Sequence, residues 1–272
     1  MDQMTNTLKR TGMIGLGAMG LQMARHMANK GFDVAGYDID GEAMKRAESH
    51  RVKAKASPRE VGKHAEVVLI MVQTDKQVED VVAALLESLA RGSVICIASS
   101  VAPETCQKAA KLAESKGIGV LDTPVVLGQE ATNNGTATVY VGGDPKWFAK
   151  AQPALAAFGQ QVLHLGGVGT GQIAKTINNM ILWACISANY EALTFAKKLG
   201  ADIPKLIEAL GHGSGANWSL SRWGKSTGKW AEKDMDVALE MAQAAKCAVP
   251  LAALVDQLMK GMNQEKMKAL IS

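Results

Sequence analysis

The rhythm of apolar and polar positions changes near residue 165 of this 272-residue chain. Before it, short apolar runs alternate with stretches whose apolar residues recur at helical spacing. Residues 13–14, 33–37, 93–97, 118–121 and 136–141 read as strands. Residues 66–72 (EVVLIMV) form an almost unbroken apolar run, as expected of a strand buried on both faces. The segments leading to Lys30, from Gln77 to Leu89 and from Pro103 to Lys116 read as helices, the last with proline at its first position. Strand–helix alternation predicts an α/β fold: a doubly wound, mainly parallel sheet.

Past residue 165 the glycine-rich GGVGTG interrupts the chain, and everything after it reads as helix. Residues 170–199 form one long helical pattern, with Thr170 as its expected N-cap and Gly200 as its C′ residue. At 1.5 Å per residue such a helix spans roughly 40 Å, enough to bridge two domains. Residues 204–210, 233–246 and 250–262 continue the helical pattern. The predicted organisation is a Rossmann domain over 1–165 and an all-α domain over 166–272, entered by the long helix.

Composition narrows the function. The net charge of +4 is spread without a block of like charges, and aromatic residues make up only 4%. Both features argue against nucleic-acid binding. Cys96, Cys106, Cys185 and Cys247 are far apart and form no CxxC or Cys/His cluster. No metal site or disulfide framework is expected, and buried free thiols in a reducing compartment are. Lys9 and Arg10 precede an uncharged stretch that superficially resembles a signal peptide, but its four glycines make a poor signal core. No apolar run reaches the roughly 18 residues of a membrane span. A cytoplasmic protein without membrane contact is the expectation.

Those glycines have a better use. Gly15-Leu16-Gly17-Ala18-Met19-Gly20 is GxGxxG, placed after a strand and opening a helix. Gly15 permits the tight turn, Gly17 lets the backbone approach a pyrophosphate, and Gly20 allows close helix–strand packing. The helix N-terminus adds free N–H groups and positive potential. Asp38 lies 18 positions after Gly20, at the end of the next strand. A carboxylate there accepts hydrogen bonds from ribose hydroxyls and repels a 2′-phosphate, and no arginine follows until Arg46. NAD is therefore predicted in preference to NADP; Asp40, two positions on, is the other acid able to do this work.

Lys175 and Asn179 lie one turn apart on one face of the long helix, with Asn178 beside them. Oxidising an alcohol requires a group that takes the hydroxyl proton. A lysine does this once burial and the positive end of a helix favour its neutral form. An asparagine can orient the substrate oxygen.

Together these residues resemble the β-hydroxyacid dehydrogenase family, which includes 3-hydroxyisobutyrate dehydrogenases and tartronate semialdehyde reductases. The likeness covers nearly the whole chain through GLGAMG (15–20), SSVAP (99–103), DTPV (122–125), GTGQIAKTINN (169–179) and KDMDVAL (233–239). The resemblance implies homodimers or homotetramers and conversion of a 3-hydroxy acid to its semialdehyde or ketone, or the reverse. It implies Lys175 as the catalytic lysine, Asn179 as the residue orienting substrate, Ser100 near the nicotinamide ribose, and Lys233 closing over cofactor and substrate. Val72 and Gln73 take the place of a Leu-Pro pair whose backbone lines the cofactor.

The chain departs from the family pattern in the substrate loop. The family reads D-x-P-V-S-G-G, and this chain has Val126-Leu127-Gly128 at the last three positions. Val126 lacks a hydroxyl, and Leu127 adds bulk where glycine allows close approach to the substrate carboxylate. Ile97 also replaces the family's Asp before SSVAP. The basic stretch Arg222, Lys225, Lys229 suggests that Arg222 meets a phosphonate, sulfonate or larger carboxylate. Two other readings compete: an imine reductase of the same architecture, against which Lys175 argues, and a dinucleotide-binding protein without turnover. A 6-phosphogluconate dehydrogenase is disfavoured by the short helical domain. Trp183, Trp218, Trp223 and Trp230 are expected either in the helical core or against a second subunit.

Overall fold

The computed structural model describes residues 10–225 and 228–272. The chain divides into two compact units, Met1–Lys175 and Thr176–Ser272, a division that falls inside the long helix.

The first unit runs β1 (Arg10–Ile14), α1 (Gly20–Asn29), β2 (Asp33–Tyr37), α2 (Gly41–Glu48), β3 (Lys53–Ala54), α3 (Pro58–His64), β4 (Val67–Ile70), α4 (Asp75–Leu86), β5 (Val94–Ile97) and α5 (Pro103–Glu114). It continues through β6 (Gly119–Asp122), β7 (Val125–Val126), α6 (Gly128–Asn134), β8 (Ala137–Gly142), α7 (Pro145–Leu155) and β9 (Gly159–Gly166). The helix α8 (Thr170–Lys198) follows, and then α9 (Ile203–Leu210), α10 (Trp218–Ser221), α11 (Ala231–Ala244), α12 (Pro250–Lys260) and α13 (Gln264–Lys268).

The sheet order is β3-β2-β1-β4-β5-β6-β8-β7, with β9 on β8. The first six are parallel, and β8 runs antiparallel to β6 and β7. The order 3-2-1-4-5-6 is that of dinucleotide-binding sheets, whose ligand crevice opens where the winding reverses, at the carboxyl ends of β1 and β4.

Strand alternation sorts the core onto two faces. Met13, Leu69, Cys96 and Leu121 are in register and join Met23, Met27 and Phe158 on one face. Ile14, Ile70 and Ile97 are in register on the other, over Val61, Val82, Leu85 and Cys106. The next partner of Ile97 across the sheet is Asp122, so a carboxylate ends a row of isoleucines. It is fully buried.

Asp122 also corrects the expected start of α8. The Thr170 hydroxyl donates backward to the Gly167 carbonyl at 2.8 Å instead of capping the helix. The cap comes from the sheet: the N–H groups of Gly169 and Gln172 donate to the two Asp122 carboxylate oxygens at 2.7 and 2.8 Å. A Cβ on Gly171 would crowd the same carboxylate and the Tyr140 carbonyl, so glycine there lets the helix approach the strand.

Every described element of the second unit is a helix. Its core gathers Trp183, Ile186, Leu193, Leu220, Trp223, Met235, Val255 and Met259. Trp218 and Trp230 are exposed, beneath Arg222 and Lys229 respectively. Of the thiols, Cys96 and Cys106 are buried as expected, Cys185 is half-buried and Cys247 is exposed. Among the described residues no helix is long and apolar enough to cross a membrane, and no cluster of His, Cys, Asp or Glu could hold a metal ion.

Candidate active site

The loop after β1 is shaped by close approach. Gly15 adopts φ +89°, and its N–H donates to the Tyr37 carbonyl at 2.9 Å. A Cβ there would run into the Met71 carbonyl at the end of β4. A Cβ on Gly20 would run into the carbonyl of Gly15. Gly17 differs: a Cβ there would meet nothing within 4 Å, because it faces open space. Leu16 turns inward and is buried, whereas Gly17 and Ala18 are exposed and Met19 is half-buried. Met19 gives α1 no side-chain cap, and no described residue accepts from the N–H groups of Gly17, Ala18 or Met19. Uncapped amides at the positive end of a helix fit a pyrophosphate.

Asp38, just past β2, accepts from the Leu16 N–H at 2.6 Å and, with its other oxygen, from the Asp40 N–H at 2.9 Å. A carboxylate offers about four acceptor sites, so this one remains able to take ribose hydroxyls while holding the glycine loop to β2. Asp40 is engaged elsewhere, as the N-cap of α2 and opposite Arg46 at 3.6 Å. The donor set and the open face at Gly17 fit an NAD(P) dinucleotide.

On the far side of the crevice the Val72 N–H donates to the Ser99 hydroxyl at 2.8 Å, and the Gln73 N–H to the Gln77 side chain at 2.8 Å. Both amides at the expected lining position are thus already used within the protein. Ser100, beside the buried Ser99, is exposed.

The loop expected to meet substrate grows from β7. Val125 and Val126 are buried and pair with β8. Leu127 then takes φ +74° and Gly128 φ +76°. A left-handed conformation costs a leucine roughly 1–2 kcal/mol relative to glycine, and the side chain remains exposed. Lys175 is half-buried, and its Nζ donates to the Val125 carbonyl at 2.8 Å. That bond brings the lysine to the base of the loop from 50 positions away in sequence. Burial pushes the Asp122 carboxyl above its ordinary range, opposed by the N–H groups of Gly169 and Gln172.

The other expected residues belong to the second unit. Asn179 is buried, and its side-chain oxygen accepts from Asn178 at 3.1 Å. Lys233 is exposed in the first turn of α11. The next residue, Asp234, accepts from the Trp183 indole at 3.1 Å, which ties that turn to α8. Arg222 stacks over Trp218 at 5.1 Å. Asp122, Ser99 and Gln172 were not among the expected site residues, although DTPV, SSVAP and GTGQ contain them.

Two family models cover the chain. One, the NAD binding domain of 6-phosphogluconate dehydrogenase, matches residues 10–166. The other, NAD-binding of NADP-dependent 3-hydroxyisobutyrate dehydrogenase, matches residues 169–270. The chain is 32% identical to a 3-hydroxyisobutyrate dehydrogenase of Pseudomonas aeruginosa, over 90% of this chain and 89% of that one. It is 30% identical to an NAD-dependent L-serine dehydrogenase of the same organism, over 91% and 90%. The solved structure of Mycobacterium tuberculosis 3-hydroxyisobutyrate dehydrogenase with L-serine superposes with a TM-score of 0.88 at 24% identity, covering 97% of this chain and all of that one. With these two models spanning residues 10–166 and 169–270 and a relative 32% identical over 90% of the chain, the chain belongs to the β-hydroxyacid dehydrogenase family of NAD(P)-binding oxidoreductases.

Proposed function

We propose that this protein is an NAD-dependent dehydrogenase of a small 3-hydroxy acid or a related anionic hydroxy compound, with Lys175 as general acid/base. The observation that carries the reading is the bond from Lys175 Nζ to the Val125 carbonyl, which holds the amine at the base of the Val126-Leu127-Gly128 loop. In oxidation the neutral amine takes the substrate hydroxyl proton; in reduction the ammonium returns it to the carbonyl oxygen. The bound dinucleotide supplies hydride exchange at carbon. Asn179 orients the reacting oxygen, with Asn178 restricting its amide. Gly15 to Gly20 cradle the pyrophosphate, with Val72, Gln73 and Ser100 lining the cofactor's other side and Lys233 closing from α11. The Asp38 charge at the end of β2 favours NAD by repelling a 2′-phosphate.

The substrate's anionic group meets the loop amides and Arg222. Without the serine hydroxyl, and with Leu127 in the loop, the loop favours an acid with an apolar face beside its oxyanion.

The deciding experiment follows NADH formation over a panel of carboxylate, phosphonate and sulfonate hydroxy compounds, with NADP⁺ in parallel. Lys175→Ala should lower kcat by about 10²–10⁴ and leave dinucleotide affinity intact. Arg222→Ala should raise the KM of the best anionic substrate. Full activity in Lys175→Ala overturns the lysine's role, preference for NADP⁺ overturns that of Asp38, and an unchanged KM removes Arg222.

A homo-oligomer is part of the same reading. Leu251, Leu254 and Leu258 form an exposed apolar stripe along α12, suited to a second copy of the chain. A monomeric mass by light scattering at micromolar concentration overturns it.

A further inference from the structure

We propose that Asp122 and Gln172 are positioning residues, a buried relay that fixes Lys175 against the loop carrying Ser100. This rests on the reading of Lys175 as the proton-transfer group.

Three strand ends and one helix start must agree if a proton donor and a cofactor-side hydroxyl are to keep a fixed separation. The strands deliver residues 71–73, 99–101 and 122–125, and the helix delivers Lys175. One chain of hydrogen bonds joins them all. The Val72 N–H donates to the Ser99 hydroxyl at 2.8 Å. The Ser99 carbonyl accepts from the Gln172 side-chain amide at 2.7 Å. The Val101 N–H donates to the other end of that amide at 3.3 Å. Gln172 thus grips the backbone on both sides of Ser100 without touching its side chain. Its own N–H donates to Asp122 at 2.8 Å, and the second Asp122 oxygen takes Gly169 at 2.7 Å. Lys175 follows Gln172 by three positions, about one helical turn, and its Nζ returns to β7 at Val125.

Asp122, Gln172 and Ser99 are all at least 98% buried. In such surroundings each lost partner leaves a donor or acceptor unmade, so the relay tolerates few arrangements. Neither Asp122 nor Gln172 takes part in proton or hydride transfer. Each acts by setting the place of another residue, and a displacement near 1 Å can cost about 10²-fold in rate.

The test uses Asp122→Asn and Gln172→Leu in the full chain. The asparagine presents an N–H₂ to one of the two backbone amides. The leucine removes both grips on the Ser100 loop and leaves the Asp122 cap in place. Fold is checked by circular dichroism, dinucleotide affinity by tryptophan fluorescence titration, and turnover with the best substrate of the panel. Both variants should lose kcat about ten- to a hundredfold, with substrate KM and dinucleotide Kd within about threefold of the parent protein. A folded variant with kcat within twofold of the parent, or with KM or Kd raised and kcat unchanged, overturns the proposal. Amide hydrogen exchange in the unaltered protein keeps it open to refutation if neither variant folds: the Gly169 and Gln172 amides must be strongly protected, and exchange at free-peptide rates overturns it. Failure of the lysine reading shows separately, as activity retained in Lys175→Ala.

Discussion

Two loops at the carboxyl edge of the same sheet meet opposite fates. The loop after β1 needs a left-handed residue and two close approaches, and it has glycine at each of those positions. The loop after β7 needs left-handed residues at two successive positions and fills the first with leucine. In the first loop any side chain at Gly15 or Gly20 would strike backbone, which cannot swing aside. In the second, the side chain projects outward, and the cost is local backbone strain alone. The first loop is therefore fixed by the geometry of the fold, while the second, the loop proposed to meet substrate, has room to vary. Strain of this kind persists at sites where it shapes a ligand.

Substitutions break or sharpen that contrast. The largest effect is expected within the glycine loop. Gly20→Ala drives a methyl into the Gly15 carbonyl, and thermal or urea unfolding should show a loss of about 2–3 kcal/mol, together with dinucleotide affinity. Gly17→Ala meets nothing in the protein, so stability should hold within about 0.5 kcal/mol while dinucleotide affinity falls about tenfold, read by fluorescence titration. Equal losses of stability at both positions would erase the distinction between a glycine kept for the fold and one kept for the ligand.

Leu127→Gly should act in the other loop. Relief of the left-handed strain is offset by the greater freedom of glycine in the unfolded chain, so stability should stay within about 1 kcal/mol. The change should appear in the ratio of kcat/KM between branched and unbranched hydroxy acids, falling for the branched one. An unchanged ratio would mean that Leu127 does not face substrate.

The smallest effect concerns the carboxylate beneath that loop. Burial raises the folded-state value of Asp122 above its unfolded value near 3.8. Between those two values the folded protein binds more protons than the unfolded chain, so the contribution of this group to stability increases as pH falls through the folded value and levels off below the unfolded one. Asp122→Asn removes that titration. Urea midpoints of the two proteins, followed from neutral pH toward 4, should diverge in favour of aspartate as the pH drops. A constant gap would show that the buried carboxyl keeps its ordinary affinity for protons.

Legibility follows the reach of each interaction. The run EVVLIMV announces β4, because a strand buried on both faces needs no partner to be recognised. The glycine loop and Asp38 are equally plain, since each is marked by its residue types at a set spacing, although the carbonyl that confines Gly15 belongs to the distant Met71. β3 and β7 have two residues each and leave no periodic signal. β9 alternates half-buried with exposed positions in GQQVLHLG and ends in the glycines that read as a break. Thr170 has the residue type and the place of an N-cap, but a distant carboxylate takes that role, and Asp122 holds α8 from 47 and 50 positions away. The motifs DTPV and GTGQ mark both ends of that contact, but nothing within either says that they meet. The half-buried lysine was legible as a polar face on a helix; its anchor at Val125 was not, because a carbonyl has no sequence signature.

The cap supplied from β6 also couples the sheet to a helix that is made later in synthesis. Asp122 leaves the ribosome well before Thr170, so the sheet that holds the carboxylate can be complete when the first turn of α8 arrives. An isolated 29-residue helix begins wherever its local propensities allow. In the folded protein its first turn is held by the Asp122 carboxylate on the sheet, so the place of Lys175 depends on that contact as well as on local propensity. The sheet thus serves as a template for the first turn of the helix that carries Lys175.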